Sequence, residues 1–203
     1  MKTAIFGGAF NPIHSGHIHL LSEMNKLYSF DKIILIPTGN PPHKSSEKFI
    51  SADDRIAMCR LVAQRNSNIE VSEIETNRKG KSYTFDTLKE IRSIFLEDEL
   101  YLIIGGDMLL IFDKWYNFSG ISKLANIICA SRTDNEYEKL KEKSKELQKL
   151  NCIVTVHKIK PFEVSSTEIR KNIYEEKSID GLVPNYISDY IYRKNLYKAG
   201  DSN

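Results

Sequence analysis

The sequence predicts an α/β fold in which helices cover both faces of a doubly wound, mainly parallel sheet. Short apolar runs typical of buried strands alternate with stretches whose apolar residues recur every three or four positions. Such alternation favours parallel strands joined by right-handed crossover helices. No internal repeat, low-complexity tract or Pro/Gly/Ser-rich linker divides the chain, so we expect one domain over residues 1–203.

The first four predicted elements alternate between strand and helix. KTAIFGG (2–8) is an apolar run that ends in glycine, as a short buried strand does. From Ser15 the helical period appears in Ile18, Leu21, Met24 and Tyr28. KIILIPTG (32–39) is a continuous apolar run expected of a strand covered on both faces. DDRIAMCRLVAQR (53–65) begins with acidic residues and continues with helical spacing, so it predicts a second helix.

The later elements continue this alternation. IEVSEIE (69–75) alternates apolar and polar residues and predicts a strand, and the helix over 84–95 has an apolar face of Phe85, Leu88, Ile91 and Phe95. Three further strands are predicted at LYLIIGGD (100–107), NIICASR (126–132) and CIVTVHK (152–158). Residues 136–150 predict a surface helix. Two C-terminal helices are expected, one after Ser165–Thr167 and one over 184–196.

Composition and charge restrict the class of protein. With 41% hydrophobic and 28% charged residues, the 203-residue chain is typical of a globular protein that buries a core. The net charge of +2 is too small to indicate a nucleic-acid or membrane-surface partner, so a bound anion needs locally focused charge. No stretch approaches the roughly 20 apolar residues of a membrane span.

The three cysteines, Cys59, Cys129 and Cys152, lie far apart and form no CxxC pair. Their number and spacing favour reduced, buried thiols over a disulfide framework or a thiolate zinc site. The first strand is also too brief for a signal-peptide core, so we expect a cytoplasmic protein.

The stretch GGAFNPIHSGH (7–17) joins the first strand to the first helix. Its two leading glycines permit a ligand to approach the backbone and permit a positive φ. The helix that begins near Ser15 presents free N–H groups and its positive dipole end, which bind anions. His14 and His17 are three residues apart, so both imidazoles can face that anion. These features indicate a site for the oxygens of a triphosphate, beyond the carboxyl end of the strand.

The residues of the stretch 7–17 also allow other interpretations. Either histidine could cap or pack against the helix, and the HxxH spacing could chelate a metal, although no third ligand is evident. The glycine spacing is not GxGxxG, and PTGNPPHK (37–44), rather than an acidic residue, follows the second strand. A dinucleotide-binding dehydrogenase is therefore disfavoured.

Two segments resemble the signatures of the nucleotidyltransferase superfamily. GGAFNPIHSGH resembles G-x-F-[DN]-P-x-H-x-G-H, and VSSTEIR (164–170) resembles I-S-S-T-x-[IL]-R about 150 residues later. Over essentially its whole length the chain is similar to bacterial nicotinate-nucleotide adenylyltransferases, through PTGNPPHK (37–44), SYTFDTL (82–88), IIGGDML (103–109) and KWYNF (114–118). It departs from the usual pattern at Asn11, where Asp is common, at Gly106, where Ala is common, and at Ala130–Arg132.

The resemblance implies a Rossmann-like nucleotidyltransferase fold, a reaction and a set of site residues. The family makes deamido-NAD and pyrophosphate from nicotinate mononucleotide and ATP. The resemblance implies that Mg²⁺ is bound through the ATP phosphates, and it implies no metal ligand from the protein. The implied catalytic residues are His14, His17 and Arg170. The implied ATP contacts are Gly7, Gly8, Phe10, Lys44, Gly105, Asp107, Arg132, Ser165, Ser166 and Thr167. The implied nicotinate mononucleotide contacts are Asn40, Tyr83, Thr84, Trp115 and Tyr116.

Several of these residues also have a purely structural interpretation. SSTEIR is an ordinary helix N-terminus, Asp107 could cap the segment after its strand, Lys44 could be a solvated surface lysine, and Trp115 could fill the core. Pantetheine-phosphate adenylyltransferases and cytidylyltransferases are the enzymatic alternatives, and a non-catalytic adenine-nucleotide sensor is the alternative of another class. A homo-oligomer stays open, because the tail helix could pack on its own domain or on a second subunit through Ile187, Tyr190 and Ile191.

Overall fold

Six parallel strands form the centre of the fold. The structure is a computed structural model that describes residues 1–40, 49–131, 133–160 and 162–198. Its strands are β1 (Lys2–Gly8), β2 (Lys32–Pro37), β3 (Ile69–Val71), β4 (Glu99–Gly105), β5 (Asn126–Ser131) and β6 (Val154–Lys158). They lie in the order β3-β2-β1-β4-β5-β6, and every pair among the described residues is parallel. The predicted fold class is thereby confirmed.

Helices connect the strands and cover both faces of the sheet. In the part of the chain that the structure describes they are α1 (Ser15–Tyr28), α2 (Ala52–Ala63), α3 (Thr84–Ile94), α4 (Gly106–Leu110), α5 (Phe118–Leu124), α6 (Asp134–Gln148), α7 (Ser166–Tyr174) and α8 (Asn185–Arg193), with a 3₁₀ turn over Phe112–Lys114. None of these helices is long and apolar enough to span a bilayer.

The strand order reverses between β1 and β4, which are neighbours although β2 and β3 lie between them in sequence. In a doubly wound sheet the crossovers on the two sides of such a point leave in opposite directions. A crevice therefore opens beyond the carboxyl ends of these two strands. The loops after β1 and β4 begin at this crevice.

Each face of the sheet has its own apolar core. Ala4 and Phe6 of β1 pack into the core that receives α1, α2, α7 and α8, whereas Ile5 packs into the core that receives α3 to α6. Successive side chains of a strand point to opposite faces, so a strand with two cores needs apolar residues at every position. This requirement explains the unbroken apolar runs in the sequence.

Three parts of the chain differ from the sequence prediction. The fourth strand ends at Gly105 rather than at residue 107, and the unpredicted helix α4 begins at Gly106. The third strand ends at Val71 rather than at residue 75, since only Ile69–Val71 pair with β2. Beyond it the chain turns, and the Glu73 carbonyl accepts the Asn77 N–H at 2.9 Å. The sequence predicts no element between 110 and 125, where the structure has the 3₁₀ turn and α5. These pieces are too short to show a helical period.

The tail helix α8 packs on its own chain. Ile187, Tyr190 and Ile191 are buried in the core that also contains α1 and α2 residues. The apolar face of α8, which could have packed on a second subunit, is therefore covered by residues of its own chain. It provides no argument for a homo-oligomer.

Candidate active site

Two cavities open side by side at the crevice beyond β1 and β4. The first, the polar cavity, has a volume of about 290 Å³ and is lined by both histidines of the first motif and by the second motif. The other, the apolar cavity, has a volume of about 330 Å³ and is lined mainly by strand ends and aromatic rings. Ala9 and Ile104 line both cavities, so the two share a wall.

The two imidazoles of the first motif are stacked at the entrance of α1. His14 is the N-cap residue and His17 lies in the first turn, with ring centroids 3.7 Å apart. The backbone N–H of His14 donates to Nδ1 of His17 at 3.2 Å. Because Nδ1 accepts this hydrogen bond, the ring proton of neutral His17 lies on Nε2. The helix carries no acidic residue in its first turn, so its positive end is left uncompensated at the polar cavity.

The second motif meets the first through hydrogen bonds between residues far apart in sequence. Ser166 Oγ donates to the Pro12 carbonyl at 2.9 Å. The Arg170 guanidinium donates to the Asn11 carbonyl at 2.9 Å and to Thr167 Oγ1 at 3.2 Å. Ser165 is the N-cap of α7, and its Oγ accepts the Glu168 N–H, so the structural interpretation of SSTEIR holds at this residue. The polar cavity thus lies between two helix N-termini.

Gly16 lies where the two motifs touch. A Cβ at this position would lie 2.9 Å from Cγ1 of Val164 and 3.2 Å from the His14 ring. Glycine is therefore required here for the close approach of the second motif. Gly7 and Gly8 do not use the positive φ that glycine permits; the left-handed residue of this loop is Phe10, with a φ of 45°.

Aromatic residues form the outer wall of the apolar cavity. Trp115 follows the 3₁₀ turn and packs edge-on against Phe112, with ring centroids 5.1 Å apart. The Tyr116 ring is 56% exposed and lies 4.6 Å from the Tyr83 ring. Thr84 begins α3 beside them and also lines the cavity. Trp115 is therefore part of the cavity wall and also packs against the core.

A buried carboxylate, Glu75, forms the inner wall of the apolar cavity. It accepts hydrogen bonds from the Thr87 hydroxyl, at 2.9 Å, and from the Gly39 N–H. Burial raises the pKa of Glu75, because desolvation disfavours the charged form more than these donors favour it. Glu75 is not among the predicted site residues, although an acidic residue at a strand end on the predicted ligand edge is a usable signal.

At Gly39 the backbone packs directly against the backbone of Glu75 in this inner wall. A Cβ on Gly39 would lie 2.1 Å from the Glu75 carbonyl oxygen, so no side chain fits. The Ser82 N–H donates to the Asn40 carbonyl at 2.8 Å, which joins the loop after β2 to the residues before α3. The apolar cavity is therefore closed on this side by two backbone segments in contact.

Most of the predicted site residues line one of the two cavities. The polar cavity receives His14, His17, Gly105, Ser165, Ser166, Thr167 and Arg170. The apolar cavity receives Gly7, Gly8, Tyr83, Thr84, Trp115 and Tyr116. The two leading glycines, predicted as ATP contacts, thus lie along the apolar cavity rather than the polar one.

The remaining predicted residues lie elsewhere. Phe10 is buried with its ring against His17, and Asn40 and Asp107 are exposed and line neither cavity. The alternative that Asp107 caps the next segment is wrong, since Gly105 is the N-cap of α4. Lys44 and Arg132 lie outside the described residues.

Gly106, one of the departures from the resembled family pattern, lies against α6. A Cβ at this position would lie 2.5 Å from Oε1 of Glu136, the flexible end of a side chain, and 3.2 Å from Leu140. An alanine here would therefore require the Glu136 side chain to move aside. Polar-cavity residues that the sequence analysis missed include His19, whose Nε2 lies 2.7 Å from the Lys160 carbonyl, and Phe162, which contacts the His19 ring.

Comparisons with known proteins agree with this arrangement. Residues 5–172 match the family described as cytidylyltransferase-like. A probable nicotinate-nucleotide adenylyltransferase of Clostridium novyi is 36% identical over 198 residues, which cover 97% of this chain and 99% of the relative. One from Borrelia turicatae is 37% identical over 200 residues, covering 98% and 100%.

Solved structures share the fold. The chain is similar to Plasmodium falciparum nicotinic acid mononucleotide adenylyltransferase complexed with NaAD, with a TM-score of 0.78 and 20% identity, over 97% of this chain and 98% of that one. The same protein complexed with APC gives a TM-score of 0.76 over 97% and 96% of the two chains. At this identity the likeness concerns the fold alone.

Proposed function

This chain belongs to the nicotinate-nucleotide adenylyltransferases of the cytidylyltransferase-like family, and from that premise we propose how its two cavities divide the reaction. The enzyme transfers adenylate from ATP to nicotinate mononucleotide and gives deamido-NAD and pyrophosphate, a step of NAD biosynthesis. The polar cavity takes the triphosphate and the apolar cavity takes the pyridine ring. The observation that carries this assignment is that Ala9 and Ile104 line both cavities. Because the cavities are adjacent at these residues, a phosphate bound in one can come close to a phosphate bound in the other.

The chemistry needs positioning more than reactive side chains. A phosphate oxygen of nicotinate mononucleotide attacks the α-phosphorus of ATP in line with the departing pyrophosphate. One O–P bond forms, the bond from the α-phosphorus to the bridging oxygen breaks, and pyrophosphate leaves with that electron pair. No covalent enzyme intermediate is required, because nucleophile and leaving group are both already good. Orientation and neutralisation of charge therefore supply most of the rate enhancement.

His17 is the proposed contact to the α-phosphate. The hydrogen bond from the His14 N–H to Nδ1 leaves the Nε2–H of His17 as its donor. A donor held in this orientation can stabilise negative charge on an α-phosphate oxygen as the new bond forms. His14, stacked on His17 at the N-cap, is placed to contact the neighbouring phosphate oxygens.

The β- and γ-phosphates are assigned to the second motif. Two N–H donors of Arg170 are used by Asn11 and Thr167, which fixes the guanidinium and leaves its other donors for phosphate oxygens. The α7 N-terminus adds backbone N–H groups and the hydroxyls of Ser165, Ser166 and Thr167. Further proposed ATP contacts are the backbone at Phe10 and Gly105, the ribose acceptor Asp107, and the phosphate contacts Lys44 and Arg132. Gly7 and Gly8, predicted as ATP contacts, line only the apolar cavity and are proposed to face the nicotinate mononucleotide side instead.

Magnesium fits this site as an ion carried by the substrate. Among the residues that the structure describes, no group of three or more His, Cys, Asp or Glu side chains could hold a metal. The donors around the polar cavity are N–H and hydroxyl groups, which suit phosphate oxygens, whereas Mg²⁺ binds phosphate, carboxylate and water oxygens. We propose that Mg²⁺ is held by the ATP phosphates and that its charge helps to neutralise the departing pyrophosphate.

The apolar cavity suits a flat ring with an acidic substituent. The proposed contacts are stacking on Trp115, side walls from Tyr83 and Tyr116, and hydrogen bonds from Thr84 and nearby backbone N–H groups. Asn40 is proposed to reach the substrate from the loop after β2. Hydroxyl and N–H donors match a carboxylate, whereas a carboxamide also requires an acceptor. The Glu75 carboxylate that lines the same cavity already accepts hydrogen bonds from Thr87 and Gly39. We therefore expect the acid to be preferred over the amide.

Organisation and location are proposed on separate grounds. We propose that residues 1–203 act as one nucleotidyltransferase domain, because both motifs pack at the edge of a single sheet. A cytoplasmic location is supported by three buried cysteines that are all unpaired. Neither nucleic acid nor a membrane surface is an expected partner, and a homo-oligomer stays a prediction.

One assay tests the function. Purified protein receives ATP and Mg²⁺ with nicotinate mononucleotide, nicotinamide mononucleotide or phosphopantetheine in parallel, and pyrophosphate release is followed. We expect turnover with nicotinate mononucleotide and slower turnover with its amide. Turnover with phosphopantetheine alone would reassign the enzyme, and ATP binding without pyrophosphate from any acceptor would favour the nucleotide sensor.

A further inference from the structure

The loop over residues 9–12, which separates the two cavities, is held by side chains from three later elements. Its carbonyl at Ala9 accepts Nη1 of Arg55 at 2.8 Å, from α2. Its carbonyls at Asn11 and Pro12 accept Arg170 and Ser166 from α7. The Asn11 side chain, 1% exposed, accepts the Tyr197 hydroxyl at 3.1 Å. The third of these elements is therefore the segment 194–198 after α8.

Tyr197 reaches this loop from 186 residues away in sequence. Its side chain is 8% exposed and belongs to the same core as Phe10 and Ile13. The backbone is left-handed at Asn195 and again at Tyr197, with φ values of 53° and 65°. Such a conformation is unfavourable for residues other than glycine, so the surrounding contacts must maintain it. In this conformation the Tyr197 hydroxyl reaches the Asn11 side chain.

The Asn11 peptide is also the point where the two motifs are joined. Its carbonyl binds the Arg170 guanidinium, and three residues later His14 caps α1 and orients His17. A displacement of Asn11 would therefore move a proposed phosphate contact on each side of the polar cavity. Besides Tyr197, the Ile50 N–H also donates to Asn11 Oδ1, but at a longer distance of 3.4 Å. The tyrosine hydroxyl is the shorter of these two hydrogen bonds.

We propose that Tyr197 is a positioning residue for adenylyl transfer, whose hydroxyl holds Asn11 so that Arg170 and His17 keep their places around the phosphates. This inference rests on the proposed function. Tyr197 itself lines neither cavity and acts only through Asn11. Burial raises the pKa of the Tyr197 hydroxyl above its usual value of 10.0, so the hydroxyl is a protonated donor at neutral pH.

Tyr190 provides a matched control. It is 9% exposed and precedes Tyr197 by seven residues. Its hydroxyl also donates one hydrogen bond, to Asp54 Oδ1 at 2.8 Å. That bond ties α8 to the first turn of α2 and involves no residue of the loop over 9–12. Tyr190→Phe and Tyr197→Phe therefore remove equivalent groups, of which only one contacts Asn11.

The test compares the two variants with the wild type. We expect Tyr197→Phe to lower kcat about three- to tenfold, as loss of one hydrogen bond does, and to change the KM for nicotinate mononucleotide by less than about twofold. Tyr190→Phe is expected to stay within about twofold of the wild type in both constants. Hydrogen exchange of the backbone amides over residues 14–18 should accelerate in Tyr197→Phe and not in Tyr190→Phe.

The outcomes separate this inference from the function on which it rests. A wild type that releases no pyrophosphate from nicotinate mononucleotide removes both the function and the positioning role. An active wild type with equal kcat in the two variants overturns the positioning role alone. Thermal unfolding shows whether Tyr197→Phe is destabilised. If it is, hydrogen exchange is measured at a temperature at which the variant is folded. Faster exchange confined to residues 14–18 then supports the positioning role, and faster exchange spread over the whole chain contradicts it.

Discussion

The polar and apolar cavities share a wall but are constructed differently. The polar cavity is assembled from two motifs far apart in sequence, and side-chain hydrogen bonds to the carbonyls of Asn11 and Pro12 hold them together. The apolar cavity is assembled from strand ends, two backbone segments in contact and a wall of aromatic rings. The difference follows from the two tasks. Transfer of an adenylyl group requires directed donors, whereas recognition of a flat ring requires a surface of the right shape.

If this division is correct, the largest effect is expected in the polar cavity. His17→Ala removes the proposed donor to the α-phosphate, and we expect kcat to fall about 10²- to 10³-fold, as for the loss of one oxyanion donor. The KM for nicotinate mononucleotide should change little, because the apolar cavity is intact. Steady-state pyrophosphate release measures both constants.

His157→Ala is the control for the histidine substitution. His157 lies on the edge strand β6 and bonds Tyr28, at the end of α1 remote from the motif. It should keep normal turnover. A His17→Ala enzyme with near-normal kcat would remove His17 from the mechanism and with it the division between the cavities.

The converse effect is expected for Trp115 in the apolar cavity. Trp115→Ala should raise the KM for nicotinate mononucleotide about 10- to 100-fold, which corresponds to the loss of one aromatic stacking contact. The KM for ATP should stay within about twofold. Trp115→Phe, which keeps a ring, should recover most of the affinity. An equal rise of both KM values would show that the two cavities are not separate binding surfaces.

Two glycines test how tightly each cavity is built. Gly39→Ala places a Cβ against the Glu75 carbonyl, and we expect it to lower the free energy of unfolding by about 1–3 kcal/mol. Gly105→Ala, in the polar cavity, meets no atom within 4 Å and should leave that free energy nearly unchanged. Denaturant unfolding of both variants provides the comparison. Equal stabilities would contradict the close contact at Gly39.

The smallest effect is a pH dependence that belongs to the apolar cavity. Burial raises the pKa of Glu75 above its usual value of 4.5, so the folded protein binds that proton more tightly than the unfolded chain. The resulting stabilisation is fully present below about pH 4.5 and is lost as pH rises through the folded pKa. Glu75→Gln has no such titration.

The measurement is denaturant unfolding of the wild type and Glu75→Gln over a pH series. The free energy of unfolding of the wild type, relative to the variant, should decline as pH rises above about 4.5. A constant difference across the series would mean that the Glu75 carboxylate is as well stabilised in the cavity as in water.

The sequence alone determined the fold class, the existence and order of the six strands, the family and the reaction, and these predictions are confirmed, although β3 and β4 end earlier than predicted. The runs KIILIP and LYLIIG are apolar at every position, so only a strand with two covered faces suits them. Each of the two motifs indicates phosphate binding from a short stretch of sequence. The first has histidines beside a helix N-terminus, and the second has hydroxyl groups beside another helix N-terminus. Strand and helix patterns and short binding motifs depend on residues close together in the chain, so the sequence is enough to predict them.

Only the tertiary structure decided how these parts meet. It assigned Gly7 and Gly8 to the apolar cavity, left Asp107 exposed, buried the Glu75 carboxylate in the apolar cavity, and brought Tyr197 to a position that no local pattern indicates. The hydrogen bond from Tyr197 to Asn11 joins residues 186 positions apart. Contacts of this kind depend on how the elements pack against one another. Periodicity and spacing, which describe one element at a time, carry no information about them.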